Sequence, residues 1–259
     1  MPFFSSQGAT IHYEVRGEGP PLLFVHPPSM GAATFMGQHE LTKSYQVICM
    51  NARGHGQSSN GKGTLTIEEW ARDTYNLVKE LQLEKVIIAG YSCGGSVALE
   101  FALNWPERTA GIVLAGGFPE VSSTLLRKEF ETGIWIAENE LMGLLAQILS
   151  FSNSTNKEHR RAIAETVRHV DPHLVASMYE SGLEYTCTSR LPNLRVPVLL
   201  LYGIRDWYVH YYQYLFFKHA QQAELDVVCI NSVGHQIPTL EAHAFNAVVE
   251  RFANAKLPS

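Results

Sequence analysis

Residues 85–104 read KVIIAGYSCGGSVALEFALN, an apolar run that passes through glycines into a helical pattern. The run Lys85–Tyr91 predicts a buried strand, and Gly94–Asn104 predicts the helix that follows it. Between them, Gly90-Tyr91-Ser92-Cys93-Gly94 matches G-x-S-x-G, which is typical of a sharp strand-to-helix turn with a serine at its apex. The stretch therefore predicts an α/β fold with Ser92 held above the sheet, although a glycine-rich turn without chemistry would share the same pattern.

Apolar runs and helical patterns alternate on both sides of this stretch. Further strands are predicted at Ala9–Val15, Pro21–His26, Tyr45–Met50, Ala110–Ala115, Val196–Tyr202 and Leu225–Asn231. Further helices are predicted at Thr66–Leu83, Val209–Ala220 and Glu241–Ala253. Thr66 and Glu69 have the spacing of a capping box, which marks the start of the first of these helices. Strands that alternate with helices predict a mostly parallel central sheet with helices on both faces.

One long segment departs from this alternation. Between Phe118 and Arg190 there is no strand-like run, and the predicted helices are Ser123–Phe130, Leu141–Leu149, Lys157–Val170 and Pro172–Leu183. We therefore expect two units: a core formed by residues 1–117 and 191–259, and a helical insertion formed by residues 118–190.

Composition excludes several classes of protein. The chain has 259 residues, of which 46% are hydrophobic and 17% charged, and a net charge of −5. A mildly acidic chain has no overall field to attract phosphates, so no nucleic-acid partner is expected. No apolar run reaches the ~20 residues that a membrane span needs, and no secretory signal is apparent. Four well-separated cysteines predict reduced thiols in a cytoplasmic protein. The sequence fits a monomer or a homodimer equally well.

A serine hydroxyl needs a base before it can act as a nucleophile. Among the 11 histidines, only His235 lies on a glycine-preceded loop directly after a late strand. Asp206, just beyond the strand Val196–Tyr202, could fix the tautomer of that histidine. Alternatively, Asp206 caps the next helix or pairs with Arg205, and Glu120 is then the backup acid. The order Ser92, Asp206, His235 is the Ser–acid–His order of α/β-hydrolases.

With these residues in place, the chain resembles the α/β-hydrolase superfamily from about Ala9 to Phe252. Residues 51–58 (NARGHGQS) are similar to the family's D-x-R-G-x-G-x-S turn, with Asn51 in place of the usual Asp, and residues 203–209 resemble its acid loop. The resemblance implies a helical cap inserted after the sixth strand. It also implies a serine hydrolase in which Ser92 is the nucleophile, His235 the base and Asp206 its partner, with neither a metal nor an organic cofactor.

The oxyanion hole is where the sequence departs from the family. Members use two backbone N–H groups, one from the residue after the nucleophile, here Cys93, and one from the loop after the second of the predicted strands. That loop reads His26-Pro27-Pro28-Ser29-Met30-Gly31, and Pro28, at the donor position, has no N–H. Loss of one donor costs about 10²–10³ in turnover. We expect Ser29 to replace it, through either its backbone N–H or its hydroxyl.

Three further patterns carry less weight as chemistry. Cys93 as the nucleophile is disfavoured because the turn places Ser92 at the apex. His169 and His173 have the i, i+4 spacing of metal ligands, but Asp171-Pro172 breaks the helix between them, so no metal site is expected. The aromatic residues between Trp207 and Phe217 are expected to pack beneath the cap, with Trp207 near the acid and some lining the substrate pocket.

The sequence thus predicts a carboxylesterase-like enzyme that cleaves a small to medium, largely apolar ester or related carbonyl compound. The same fold also allows a C–C hydrolase, lactonase, thioesterase, amidase, aminopeptidase or cofactor-free haloperoxidase. A ligand-binding or regulatory homologue with little or no turnover is the alternative from another class. The Pro27-Pro28 loop fits that alternative, and the complete Ser–Asp–His set argues against it.

Overall fold

The computed structural model describes residues 2–257, and within that range eight strands form one mixed sheet. The strands are β1 (Phe3–Ser6), β2 (Ala9–Arg16), β3 (Pro21–Val25), β4 (Gln46–Met50), β5 (Val86–Tyr91), β6 (Thr109–Ala115), β7 (Val198–Gly203) and β8 (Leu225–Ile230). Their order across the sheet is β1-β2-β4-β3-β5-β6-β7-β8. β2 pairs antiparallel with both β1 and β4, and all other neighbours pair parallel. The expected α/β-hydrolase architecture is confirmed.

The centre of the sheet lies at β5, which is hydrogen-bonded to β3 on one side and to β6 on the other. All six of its residues are buried, as its continuous apolar sequence predicts for a strand covered on both faces. Since β5, β6, β7 and β8 are parallel, their carboxyl ends meet at one edge of the sheet. Loops that follow these strands are therefore close together in space although they are far apart in sequence.

Helices cover both faces of the sheet. They are α1 (Ile67–Glu80), α2 (Gly94–Asn104), α3 (Thr124–Glu138), α4 (Met142–Asn153), α5 (Lys157–His169), α6 (Pro172–Glu184), α7 (Gln213–His219), α8 (Ile237–Leu240) and α9 (Ala242–Lys256). α1 and α2 share one apolar core with the sheet, while α9 and a 3₁₀ segment, Ala32–Lys43, share the other. The capping box that begins α1 is present, because the Thr66 hydroxyl accepts from the Glu69 N–H and Glu69 accepts from the Thr66 N–H.

The predicted insertion, residues 118–190, contains α3 to α6, which lie between the sixth strand, β6, and β7; we call residues 118–190 the cap. α3 packs on α6 and α4 packs on α5. All four helices contribute to one small apolar core, which includes Leu145, Ile163 and Val167 and also takes in Met30 of the loop after β3. A buried polar group ties the cap to the core: Glu100 of α2 accepts from the Tyr185 hydroxyl and from the Arg190 guanidinium.

Several elements differ from the sequence-based expectation. The sequence patterns do not predict β1, the 3₁₀ segment Ala32–Lys43 or the one-turn helix α8. The pattern predicts that α3 ends at Phe130, but the helix continues to Glu138. It passes through Gly133, where a Cβ atom would lie 2.9 Å from the Tyr179 ring, so this glycine permits close helix packing rather than ending the helix.

Within residues 2–257, no helix combines the length and the apolar character that crossing a bilayer would require. The same residues contain no group of three or more His, Cys, Asp or Glu side chains placed to hold a metal ion.

Candidate active site

Ser92 occupies the sharp turn between β5 and α2. Its φ is +54°, a left-handed conformation that non-glycine residues rarely adopt. The turn is fixed from both sides, since the Ser92 N–H donates to Ala115 O at 2.8 Å and the Gly95 N–H donates to Ser92 O at 2.8 Å. Ser92 is half-buried. A strained serine between a strand and a helix is the geometry in which a side chain is raised above the sheet edge.

The glycines of the motif are required by close backbone approach. A Cβ atom at Gly90 would lie 2.3 Å from Gly94 O, and one at Gly94 would lie 2.3 Å from Val25 O. Real Cβ atoms do not approach backbone oxygens so closely, so any side chain at either position would push α2 away from the sheet. The G-x-S-x-G pattern is thus explained by packing at both of its ends.

The structure brings His235 and Asp206 together. Asp206 follows β7 and His235 follows β8, and His235 Nδ1 lies 2.7 Å from Asp206 Oδ2. The two residues are only 6% and 1% exposed. An ionised carboxylate can only accept hydrogen bonds, so Nδ1 carries the proton and Nε2 is left as the basic nitrogen.

Competing effects set the pKa of His235. Burial lowers this pKa. The hydrogen bond to Asp206 and the negative charges of Asp206 and Glu129, the latter on α3, raise it by more than burial lowers it. The net result is a pKa above the ordinary value of 6.5. A buried imidazole with a raised pKa is a stronger base than a free one, as general-base catalysis requires.

Residues that sequence reasoning does not single out hold His235 in place. A Cβ atom at Gly116 would lie 2.7 Å from His235 Cε1 and 2.8 Å from its Nδ1, so the ring fills the space that this glycine leaves. The rings of Tyr91 and Tyr208 lie 5.4 and 5.5 Å from the His235 ring. The sequence shows only that two glycines, Gly116 and Gly117, follow one another at the end of β6. This pair does not reveal that a histidine far along the chain packs there.

The loop that should supply the second oxyanion donor is held by two buried histidines. The Ser29 N–H donates to His55 Nε2 at 3.0 Å, and His55 Nδ1 lies 2.9 Å from Arg53 O. His26 makes the equivalent pair of bonds, from Nδ1 to Pro27 O and from the Ala52 N–H to Nε2. We expected the Ser29 N–H to be one possible oxyanion donor. In the structure this N–H already donates to His55, so an oxyanion would have to compete with that acceptor.

A second N–H of this loop is also engaged, because the Met30 N–H points back to Pro27 O at 3.4 Å. The buried Ser29 hydroxyl, in contrast, has no hydrogen-bond partner among the described residues. The hydroxyl form of the Ser29 prediction stays a prediction. Cys93 stands at the N-cap of α2, where the helix dipole favours negative charge beside its N–H.

The Cys93 side chain is a poor candidate for the nucleophile. It is buried, and a Cβ atom added at Gly182 of α6 would lie 2.7 Å from its sulfur, so the thiol packs against the cap. Burial raises the pKa of this thiol to about 12. A neutral, enclosed thiol is inert as a nucleophile, which leaves Ser92 as the residue at the apex.

Other candidates from the sequence lie apart from the pair. Glu120, the backup acid, accepts from the Thr188 hydroxyl at 2.6 Å. His169 ends α5 and His173 lies in α6, with Asp171 capping α6 between them. Trp207, Tyr214 and Phe217 are 78%, 67% and 50% exposed, so the expectation that they pack beneath the cap was wrong. Tyr208 packs on His235 instead.

Comparison with known proteins gives a consistent set of relatives. The family model Hydrolase_4, described as serine aminopeptidase S33, matches residues 24–241. RutD of Azorhizobium caulinodans, a proposed carbamate hydrolase, is 28% identical over 209 residues, which is 77% of this chain and 78% of that protein. The 3-oxoadipate enol-lactonase 2 of Acinetobacter baylyi is 25% identical over 97% of this chain and 100% of its own length.

Two further similarities are more limited. An uncharacterized protein of Mycobacterium tuberculosis is 32% identical over 120 residues, but this stretch is only 35% of that protein. Among solved structures, a thermophilic esterase from Thermogutta terrifontis superposes with a TM-score of 0.83 over 96% of this chain and 95% of that one, at 24% identity. At that level of identity the superposition establishes the fold.

Proposed function

The chain belongs to the Hydrolase_4 family, described as serine aminopeptidase S33, and has the α/β-hydrolase fold; from this premise we propose that it is a carboxylesterase-like serine hydrolase. The observation that carries the proposal is the buried His235–Asp206 pair at the same sheet edge as the strained Ser92 turn. His235 and Asp206 lie on two separate loops and have no evident structural need to pair at this edge. With Ser92, their order in the chain and their chemistry fit a catalytic triad.

In the proposed reaction, the Ser92 hydroxyl attacks the carbonyl carbon of an ester while His235 Nε2 takes its proton. The resulting imidazolium is stabilised by Asp206, 2.7 Å from Nδ1, and then gives the proton to the leaving alcohol. The product of this half-reaction is an acyl-enzyme on Ser92. Water then attacks the acyl group with His235 again as base, and the acid leaves as Ser92 regains its proton.

The surroundings of the site support a largely apolar substrate of small to medium size. Aromatic rings from the core and the cap lie near the pair and the turn: Tyr91 and Tyr208 lie against His235, and Phe130 and the Cys93 sulfur both lie against Gly182. These rings favour an apolar acyl or alcohol portion. The named relatives, a proposed carbamate hydrolase and an enol-lactonase, are both hydrolases, and such chemistry fits the same triad.

One observation favours a second candidate, a ligand-binding homologue with weak turnover. Pro28 has no N–H, and the N–H groups of Ser29 and Met30 are directed at His55 and Pro27. An ester that binds without a second oxyanion donor would react about 10²–10³ times more slowly. The Ser29 hydroxyl is the remaining donor of this loop that we propose for catalysis.

A chain-length series of p-nitrophenyl esters, from acetate to dodecanoate, tests the proposal. We expect turnover on the shorter members and its loss in Ser92→Ala, while Ser5→Ala, at an exposed serine of β1, keeps full turnover. Ser29→Ala then separates the two candidates: a fall in kcat supports the hydroxyl as donor, and an unchanged kcat removes it. Absence of turnover on every ester by a folded protein would contradict the proposal and favour the ligand-binding candidate.

A further inference from the structure

Asn153, the last residue of α4, contacts two elements of the proposed site through its single side-chain oxygen, the end of β5 and α8. Its Oδ1 accepts from the Tyr91 hydroxyl at 3.0 Å and lies 3.3 Å from the Thr239 hydroxyl, which also lies 3.2 Å from Gln236 O. Asn153 is only 3% exposed, and the Tyr91 bond is buried. A buried bond is not weakened by exchange with water, so it holds its two ends in a fixed relation.

The two donors lie directly beside the proposed catalytic residues. Tyr91 precedes Ser92, and its ring lies 5.4 Å from that of His235. Thr239 lies in α8, four residues after His235, so its hydroxyl belongs to the loop and helix that carry the base. The cap thus contacts the nucleophile turn and the histidine loop through one atom.

The orientation of the Asn153 amide is determined by its other bonds. Its Nδ2 donates to Leu149 O at 3.0 Å and to the Ser152 hydroxyl at 3.2 Å. Both partners lie within α4, so the amide oxygen is the atom turned toward the core. Burial raises the pKa of Tyr91 well above its ordinary range, which keeps its hydroxyl protonated and able to donate.

We propose that Asn153 is a positioning residue through which helix α4 of the cap sets the placement of His235 relative to Ser92. The proposal rests on the proposed function, because it assigns Asn153 an effect on the proposed catalytic residues Ser92 and His235 and no contact with the substrate. The bond holds the Tyr91 ring against His235. Without it, the Tyr91 ring and the segment that carries His235 lose a shared anchor, and the base is less well aligned.

The experiment compares the rate at which a fluorophosphonate probe labels the wild-type protein with the rates for three variants. Asn153→Ala removes the shared acceptor, and Tyr91→Phe removes the donor but keeps the ring. Asn139→Ala is the matched control: Asn139 also follows a cap helix and donates its amide to the carbonyl four residues earlier, Trp135 O at 2.8 Å, but it is exposed. The probe reports the alignment of Ser92 and His235 without requiring the natural substrate.

We expect Asn153→Ala and Tyr91→Phe each to slow labelling by about three- to tenfold, the effect of losing one net hydrogen bond. The double variant should be no slower than the slower single variant, because both changes delete the same bond. Asn139→Ala should label at the wild-type rate. A structural role alone would lower the melting temperature and leave the labelling rate of the folded protein unchanged.

The pH dependence of labelling gives a second readout. The groups that face His235 are Asp206, Glu129, Tyr91 and Tyr208, and burial is the effect that lowers its pKa. Release of the Tyr91 ring admits water, which changes both the burial that lowers this pKa and the charges that raise it. The acid limb of the labelling rate should therefore shift in Asn153→Ala and stay in place in Asn139→Ala.

The outcomes separate this inference from the proposed function. No labelling of the wild-type protein would overturn both. Labelling that is lost in Ser92→Ala but unchanged in Asn153→Ala and Tyr91→Phe would overturn the positioning role alone. If Asn153→Ala does not fold, Tyr91→Phe decides the same question, since it deletes the bond from the core side.

Discussion

Glycines determine where the side chains of the proposed triad can lie. Gly90 and Gly94 allow β5, α2 and β3 to approach within contact, and Gly116 leaves the space that the His235 ring occupies. The first two are predictable because they fall inside a local motif. The third is not, because Gly116 and His235 are 119 residues apart in the numbering and meet only through the parallel order of β5 to β8. Local signals identify the residues, and the fold decides what surrounds them.

Substitution of Gly116 by alanine should displace His235. The added Cβ would lie 2.7 Å from the ring, and the backbone there has φ +59°, which disfavours any side chain. We expect a loss of about 100-fold or more in kcat/KM, as a shift of the base by about 1 Å produces. Gly143→Ala in α4 is the control, since nothing lies within 4 Å of its added Cβ. Equal activity of Gly116→Ala and Gly143→Ala would contradict this account of the ring's position.

The pH–rate profile should report the raised pKa of His235. A general base must be unprotonated, so kcat/KM should fall as pH drops, with its midpoint above the ordinary 6.5. Asp206→Asn removes the charge that raises the pKa and leaves burial unopposed, so the midpoint should move to lower pH. Turnover should also fall by about 10⁴ because the wrong tautomer becomes accessible. The same substitution at exposed Asp226 in β8 should leave the profile unchanged.

At the scale of elements, the buried strands are predictable because a short, continuous apolar run is stable only where both faces of the strand are covered. β5 and β6 match the expected ranges within one residue. β1 is not predictable because four residues give too few alternations to distinguish a strand from a terminal segment. The 3₁₀ segment Ala32–Lys43 is not predictable because its apolar residues do not recur at the spacing of an α-helix.

The loop at residues 26–31 depends on two buried, neutral histidines, and its stability should depend on pH. Burial lowers the pKa of His55 to about 4 and that of His26 well below its ordinary value. A folded-state pKa below the unfolded value contributes stability that is present above pH 6.5 and lost as pH falls toward 4. Because of His55 alone, the unfolding free energy should fall by about 2 kcal/mol when the pH drops from 7 to 5.

Urea unfolding at several pH values checks this expectation. His55→Gln removes the titrating ring, so its unfolding free energy should start lower but change less between pH 7 and pH 5. His243→Gln, at a side chain that is 94% exposed, should keep the wild-type slope. If the unfolding free energy of His55→Gln changes with pH as much as that of the wild type, protonation of this histidine does not cause the loss of stability in acid.

Polar contacts join the cap to the core at several elements of the molecule. The Leu65 and Ile67 N–H groups donate to hydroxyls of α6, and Glu100 of α2 accepts from the Tyr185 hydroxyl. The cap is predictable as a helical insertion because strand-like runs disappear between Phe118 and Arg190. Its attachment is not predictable, because Glu100, Tyr185 and Arg190 meet only after α2 and the cap have folded. The same holds for Asn153, whose two partners lie 62 and 86 residues away.

Removal of the Arg190 charge should loosen this attachment. Arg190→Met leaves Glu100, whose side chain is 6% exposed, without its ionic partner, while the Arg190 side chain is itself 39% exposed. We expect a loss of about 1–3 kcal/mol, below the value for a fully buried pair because solvent screens the guanidinium. Thermal unfolding should show a melting temperature several degrees lower.

The matched control is Arg16→Met. It breaks the pair with Glu14, in which the side chains are 60% and 37% exposed, and should change the unfolding free energy by less than about 0.5 kcal/mol. Equal destabilisation by the two substitutions would show that burial of Glu100 does not distinguish these ion pairs.

An intact-mass measurement after incubation with a fluorophosphonate probe tests whether Ser92 is a nucleophile activated by His235 and Asp206. The probe needs an activated serine and an open path to it, and it does not need the natural substrate. We expect one adduct on the wild-type protein, no adduct on Ser92→Ala, and strongly slowed labelling of His235→Ala. An unlabelled but folded wild-type protein, or an adduct that persists in Ser92→Ala, would contradict this role of Ser92.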